Sequence, residues 1–155
     1  MKYKLIPSLF LIFFFVSCTS KESEKEDLSI LIKGTWQLLS STTVENGQRT
    51  VADYSKDQRM IKIINDTHFA FLKHNLKSDK DNKNNFDAGG GRYSLAGDEY
   101  QESLDFYNDA NWEGKSFNFK IKINNDTLVQ TGVEKVEKAG INRTITEIYV
   151  RVKHN

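Results

Sequence analysis

Cysteine is almost absent from this chain: its 155 residues contain only Cys18, so an intramolecular disulfide is excluded. Long apolar runs are also lacking. Residues 6–16 form the one prominent run, which contains Pro7 and as a helix would cover only ~17 Å of the ~30 Å of membrane hydrocarbon. Charge of one sign is not in excess, with 22 basic against 21 acidic residues. Nucleic-acid binding favours a basic face, so we expect no nucleic-acid partner.

The sequence also lacks the usual motifs of catalysis and metal binding. It has no nucleophile elbow, no phosphate loop and no Cys–His arrangement. An Asp- and Asn-rich stretch at 79–87 has Asn84 where a calcium-binding EF-hand loop needs glycine. His68 and His74 would lie ~20 Å apart on one strand, too far to share a metal ion. We therefore expect no enzymatic activity, no metal and no cofactor.

The N-terminus has the pattern of a secretory signal peptide. Lys2 and Lys4 precede the apolar run, and charged residues begin soon after Cys18. The segment 15–18, Phe-Val-Ser-Cys, resembles a bacterial lipobox, in which the cysteine is acylated, for example with palmitate, and becomes the first residue. A free or buried thiol is the alternative. We assign residues 1–17 to a lipoprotein signal peptide and residues 18–27 to the acylated cysteine and a flexible polar tether.

Removal of residues 1–17 would take away Lys2 and Lys4, leaving 20 basic against 21 acidic residues and a net charge of about −1. The resemblance to a lipoprotein implies the bacterial envelope, with a membrane as partner through the lipid anchor. Acidic residues just after the cysteine resemble a surface-export signal, but they also suit a solvated spacer. An outer-membrane location facing the periplasm and one at the cell surface therefore both stay open.

Eight segments after the tether have the alternating pattern of antiparallel strands. Strand A begins at Gly34 with Trp36 and Leu38 on one face, and the strictest alternation is Phe117, Phe119, Ile121 and Ile123. We predict an all-β domain over residues 28–155, an eight-stranded antiparallel up-and-down barrel. The predicted strands cover residues 34–43, 59–64, 67–74, 91–95, 99–107, 116–123, 127–133 and 144–152, with Ile61 and Ile63 sharing one face and Ile148, Val150 and Val152 another.

The predicted connections alternate between short and long. In an up-and-down barrel this places three short turns at one end, which is tightly closed, and four long loops at the other, around a mouth. Residues 28–32 would form a helical turn that plugs the closed end. An open sandwich is the competing architecture, although it would not require this alternation. We expect a monomer.

Gly34-Thr35-Trp36 resembles the G-x-W signature of the lipocalins. Together with the glycine-led segment 90–95, the segment 100–102 and the lipobox, it is similar to the lipocalin-like domains of bacterial lipoproteins. The resemblance implies a barrel that binds small apolar molecules. It also implies that the tryptophan packs near an arginine of the last strand, for which Arg151 matches best and Arg143 is the second choice; a cation–π contact would be the reason.

Several side chains are candidates for lining a ligand site in the lumen or at the mouth. Glu102 falls on an apolar strand face, where a carboxylate is costly unless it is paired. It is either a ligand-orienting group, a partner of a barrel Arg or Lys, or open to water at the mouth. The aromatic candidates equally suit simple filling of the core. The full set of candidates is Trp36, Tyr93, Tyr100, Glu102, Phe106, Phe117, Phe119, Trp112 and Arg151.

Two functions follow as hypotheses. The first is a lipid-anchored lipocalin-like binding protein that buries a small apolar ligand. The second is an envelope structural or protein-interaction module with a filled barrel and no ligand. A cavity of roughly 300 Å³ or more favours the first.

Replacement of the predicted attachment residue tests the anchor. Acyl chains hold a protein on a membrane by burying methylene groups at ~0.8 kcal/mol each. We expect Cys18→Ser to move the protein from the membrane fraction to the soluble fraction of its host, measured by immunoblotting after fractionation, while Thr19→Ser leaves it in the membrane. A Cys18→Ser protein that stays in the membrane would refute lipid anchoring.

Overall fold

The computed structural model describes residues 27–76 and 86–153. The predicted signal peptide (1–17), Cys18 and nearly all of the tether lie outside the described residues, as do residues 79–85 of the Asp- and Asn-rich stretch. Within the described ranges, none of the helices has the length and apolar character needed to cross a membrane. The elements are α1 (Leu28–Leu31), β1 (Gly34–Glu45), β2 (Gln48–Asp53), β3 (Gln58–Ile64), β4 (His68–Asn75), β5 (Asp87–Ala96), β6 (Glu99–Tyr107), β7 (Ser116–Asn124), β8 (Thr127–Val136), a 3₁₀ turn at Glu137–Ala139, and β9 (Ile141–Arg151).

The strands form one closed antiparallel barrel. Each strand from β3 to β8 pairs with the next one in sequence, and β9 closes the cylinder by pairing with β1. The first half of β1 pairs with β3 and its second half with β2, so β2 and β3 act as one interrupted strand. The barrel thus has eight strand positions, which confirms the predicted lipocalin-like up-and-down barrel and excludes the open sandwich.

Two of the four connections predicted to be long are tight in the structure. The region between the first two predicted strands is a hairpin that turns at Asn46 and Gly47, both with positive φ (50° and 75°), and it contains the unpredicted strand β2. The connection between β8 and β9 is a single 3₁₀ turn followed by Gly140 at φ 69°. Of the other two, the connection after β6 is longer than these tight turns, and the connection after β4 lies almost wholly outside the described residues.

In two strands the residues that point into the barrel are not the ones that apolar alternation suggests. In β3, Ile63 is 40% exposed, whereas Lys62 is 2% exposed and points into the barrel. In β9, Ile148 lies on the outer face, and Tyr149 and Glu147 lie on the inner side. The face predicted to carry Ile61 and Ile63 is therefore an outer face of the barrel. The same holds for the face predicted to carry Ile148, Val150 and Val152.

A β-bulge in β6 changes which residues face inward near the mouth. Gly90 pairs with Phe106 and Arg92 with Ser103, so two residues of β6 oppose one of β5. The single β5 residue opposite them is Gly91. Only glycine fits at this position, because a Cβ there would collide with the Ser103 carbonyl oxygen. Beyond the bulge Phe106 is 69% exposed, so its predicted place in the lumen is wrong.

Asp105 stabilises the bulge from outside. Its carboxylate accepts hydrogen bonds from the Arg92 backbone N–H at 3.1 Å and from the Arg92 guanidinium at 2.9 and 3.0 Å. These bonds lower the pKa of Asp105 to about 2.

The closed end is built on Trp36 and Arg151. The indole N–H donates to the Ile32 carbonyl at 2.7 Å, and the Arg151 guanidinium lies 4.1 Å from the centre of the indole ring. Arg151 also donates to the carbonyls of Lys33 and Leu31, which fixes α1 across the barrel floor. Gly34 has φ 132°, and a Cβ there would lie 2.8 Å from the arginine. The expected Trp36–Arg151 cation–π contact is thus confirmed, and so is the helical turn that plugs the floor.

Loss of the arginine should loosen the floor. Arg151→Met keeps the length of the side chain but removes two charge-assisted hydrogen bonds and the contact with the indole. We expect the free energy of unfolding to fall by about 2–3 kcal/mol in urea denaturation. Arg49→Met, on the exposed β1–β2 hairpin, is the matched control and should change it little; equal effects of the two substitutions would contradict this account of the floor.

Candidate functional site

A cavity of about 320 Å³ lies inside the barrel between the floor and the loop-bearing end. Its sides come from every strand of the barrel, together with Trp112 of the connection between β6 and β7. Trp36, Ile32 and Leu128 are completely buried beneath it and close the base. The barrel is therefore only partly filled by its own side chains.

Aromatic rings form much of the cavity wall. Trp112 folds back over the barrel, with its ring centre 5.6 Å from that of Phe117 and 6.5 Å from that of Tyr107. Phe71 in turn lies 6.0 Å from Tyr107. The aromatic lining consists of Tyr54, Phe69, Phe71, Tyr107, Trp112, Phe117 and Phe119.

A buried ammonium group crosses the lumen below these rings. Lys62 Nζ donates to Glu102 Oε1 at 2.7 Å and to Gln130 Oε1 at 3.1 Å, and it lies 4.0 Å from Glu147 Oε2. The same Glu147 oxygen accepts a hydrogen bond from the Tyr149 hydroxyl at 2.7 Å. These contacts join β3, β6, β8 and β9 through the interior.

The charges of this group affect one another strongly because water is excluded. Burial alone would lower the pKa of Lys62, but the carboxylates of Glu102 and Glu147 outweigh that effect and hold it above its ordinary value. Burial raises the pKa of Glu147, against the opposing effects of Lys62 and the Tyr149 hydroxyl. The pKa of Tyr149 is raised by burial and by the same carboxylates.

Two polar atoms in this region have no hydrogen bond of good geometry within the described ranges. One is Gln130 Nε2 and the other is the Tyr100 hydroxyl. An ammonium can only donate, so Lys62 must face the amide oxygen of Gln130, and the NH₂ group is left over. Gln130 is 1% exposed and lines the cavity, so a buried donor without an acceptor lies in the cavity wall.

Two further ion pairs border the cavity nearer the mouth. The Arg143 guanidinium donates to Glu134 at 2.6 Å and lies 5.7 Å from the centre of the Trp112 ring. Lys73 and Asp87 pair at 3.1 Å where β4 meets β5. These pairs leave the entrance lined by partnered charges.

The structure divides the candidates from the sequence into three groups. Glu102, Phe117, Phe119 and Trp112 do line the cavity. The floor group does not: Trp36 and Arg151 lie at the closed end, Tyr93 donates its hydroxyl to the Asn65 carbonyl of a short turn, and Tyr100 packs against Tyr93 with ring centres 5.4 Å apart. Phe106 lies outside.

Sequence reasoning missed most of the polar lining. Glu102 pairs with a barrel lysine, one of the alternatives left open for it, but the partner Lys62 was hidden between Ile61 and Ile63. Glu147 was hidden next to Ile148. A signal did exist, because Met60 and Ile64 share the period-two face of Lys62, and Ile145 and Tyr149 share that of Glu147.

Comparison with known proteins places the chain in a family. Residues 31–155 match the model of the domain of unknown function DUF4488, and the chain belongs to that family. Among curated proteins none gives a significant match.

Two solved structures are similar to this chain. A lipocalin-like protein from Bacteroides uniformis is 19% identical with a TM-score of 0.49, over 77% of this chain and 97% of that one. An uncharacterized protein from Bacteroides eggerthii is 13% identical with a TM-score of 0.47, over 77% and 98%.

Removal of the central ammonium should be costly and pH-dependent. Lys62→Met leaves two buried carboxylates without their cation, and we expect unfolding free energy to drop by about 3–5 kcal/mol at neutral pH. Because the pKa of Glu147 is already raised, its carboxyl binds a proton as the pH falls, so the loss should be smaller near pH 5. Urea denaturation at both pH values measures this. Lys122→Met, on the outer face of β7, is the control; a loss independent of pH would contradict this assignment of charges.

Proposed function

We propose that this protein is a lipid-anchored, non-enzymatic lipocalin-like protein of the bacterial envelope that holds a small ligand with an apolar body inside its barrel. The observation that carries the proposal is the lumenal cavity of about 320 Å³, whose upper wall is aromatic. Ligand sites are typically concave and mainly apolar, with a few polar groups that orient the ligand, and this cavity combines aromatic walls with a polar base. Ligand entry beside Trp112, in the connection after β6, fits this arrangement.

The anchor is part of the same proposal. Cys18 and its acyl chains would hold the barrel at the outer membrane, on its periplasmic side or at the cell surface. The support is the lipobox-like segment that ends at Cys18 and the polar residues that follow it. A tethered barrel of this kind acts as a monomer at the membrane.

One observation favours the alternative, a module that binds another protein. Gly89, Gly90 and Gly91 leave a shallow apolar groove on the outer face of the barrel, bordered by Leu72 and the exposed Phe106. Exposed apolar surface of this kind is typical of contact sites. The hollow lumen is not needed for that role, so blocking the cavity separates the two functions.

A bulky residue placed in the cavity tests the proposal. Ala52 lines the cavity from β2, whereas its neighbour Val51 points outward and is 52% exposed. We expect N-phenyl-1-naphthylamine, a neutral apolar fluorophore, to bind the purified protein, and Ala52→Trp to weaken binding by about tenfold or more in a fluorescence titration. Val51→Trp is the matched control on the same strand and should bind as the unchanged protein does.

The outcome decides between the two functions. Absence of fluorophore binding to the unchanged protein, or equal binding to both tryptophan variants, would refute a ligand site in the lumen. Circular dichroism of each variant shows whether the barrel is intact, since overpacking can cost about 1–3 kcal/mol.

A further inference from the structure

We propose that the ligand carries an amine with an oxygen acceptor close to it, and that this head group binds at the base of the cavity against Glu147 and Gln130. The inference rests on the proposed function and specifies the class of its ligand. It starts from the charged side chains that line the cavity, among which carboxylates outnumber cations.

Four carboxylates and three cations line the cavity. Each cation has a close carboxylate: Lys62 with Glu102 at 2.7 Å, Arg143 with Glu134 at 2.6 Å, and Lys73 with Asp87 at 3.1 Å. The fourth carboxylate is Glu147, and the cation nearest to it, Lys62, lies 4.0 Å away and is already engaged by Glu102. Within the described ranges Glu147 therefore shares Lys62 with Glu102 and has no closer cation.

A buried carboxylate without a cation is unfavourable, and the protein itself relieves this only in part. The Tyr149 hydroxyl donates one hydrogen bond to Glu147, and burial raises its pKa. A ligand ammonium next to Glu147 would complete a fourth ion pair. An anionic ligand would place a negative charge beside Glu147 and find no unpaired cation among the lining residues, so its chemistry fits poorly.

Gln130 supplies the second and independent part of the argument. Its amide oxygen is used by Lys62, and its NH₂ group is buried at the cavity without an acceptor among the described residues. A hydroxyl or carbonyl oxygen on the ligand would accept from that NH₂ group. A bare ammonium would not, because it offers only donors. The site therefore fits a ligand that carries a charged hydrogen-bond donor with an acceptor close to it.

The aromatic wall suits the remainder of such a molecule. Phe117, Phe119 and Trp112 line the cavity together with the charged groups, and Phe117 lies directly across from Glu102 on the neighbouring strand. An aryl or short alkyl body would be buried against them, and a ring face also attracts a nearby cation. The class of ligand is therefore a small amphipathic amino alcohol or amino carbonyl compound.

Four probes of similar size separate the elements of this inference. 2-Amino-1-phenylethanol has both groups, 1-phenyl-1-propanol lacks the charge, phenethylamine lacks the oxygen, and mandelate reverses the charge. By calorimetry we expect 2-amino-1-phenylethanol to bind about tenfold or more tightly than 1-phenyl-1-propanol, as for a hydrogen bond to a charged group. Phenethylamine should bind at intermediate strength and mandelate most weakly.

Proton exchange provides a readout that mere filling of the cavity would not give. A cation beside Glu147 favours its ionised form, so binding of 2-amino-1-phenylethanol should release protons, seen as a binding enthalpy that depends on the buffer. 1-Phenyl-1-propanol should release none. The groups that act on Glu147 from the surrounding strands are Lys62 of β3, Glu102 of β6, Glu134 of β8 and Tyr149 of β9.

A conservative variant locates the effect. Glu147→Gln keeps an acceptor for the Tyr149 hydroxyl but removes the charge, and it should weaken binding of the amine about tenfold, abolish proton release and leave binding of 1-phenyl-1-propanol unchanged. Glu99→Gln, on the outer face, is the matched control. Should Glu147→Gln fail to fold, the side-chain amide NMR signals of Gln130 in the unchanged protein report the same contact, since they should shift with 2-amino-1-phenylethanol and less with phenethylamine.

The outcomes separate this inference from the function on which it rests. Binding of 1-phenyl-1-propanol or mandelate as tightly as the amine would overturn the inference while leaving a ligand site in the lumen intact. So would binding of N-phenyl-1-naphthylamine alone, with none of the four probes bound. If neither the fluorophore nor any of the four probes binds, both the inference and the proposed function are wrong.

Discussion

An ammonium group held in the centre of the barrel is the interaction on which the interior depends. Lys62 joins its own strand to β6 and β8 through direct hydrogen bonds, and to β9 through the charge of Glu147. A buried ion pair contributes little net stability, because desolvation offsets most of the attraction. What it does here is to link four strands across the interior and to set polar groups in the wall of the cavity.

The two ends of the barrel solve different physical problems. At the floor Arg151 covers the indole of Trp36 and donates to the carbonyls of Leu31, the last residue of α1, and of Lys33, which closes this end. Above it the cavity is bordered by the charged and amide groups around Lys62 and by aromatic rings, with two further ion pairs nearer the mouth. Polar and aromatic surfaces in one cavity suit a ligand with a polar part and an apolar part.

Polar residues inside the barrel also explain where sequence reasoning failed. Alternation identifies the two faces of a strand, but it identifies the inner face only if the interior is apolar. In β3 and β9 the outer faces carry isoleucine and valine, while the inner faces carry Lys62, Arg143 and Glu147. The prediction for Phe106 was wrong for a different reason: a single extra residue in β6 reverses the alternation beyond it. The hairpin with β2 was missed because its six residues are mostly polar and exposed, and pairing with β1 alone makes them a strand.

The sequence by itself determined the all-β class, the closed barrel and its helical plug, because strand alternation, turn residues and the Gly34–Trp36 motif are local features of the chain. It also indicated that Glu102 needed either a partner or water, since that follows from the cost of burying a charge. The tertiary structure alone decided which partner it has, which aromatic side chains border the cavity, and that Glu147 and Gln130 meet at its base. Those facts arise from contacts between strands far apart in the chain, such as the 40 residues that separate Lys62 from Glu102 and the 68 that separate it from Gln130. No local pattern encodes which residues closure of the barrel will place opposite one another.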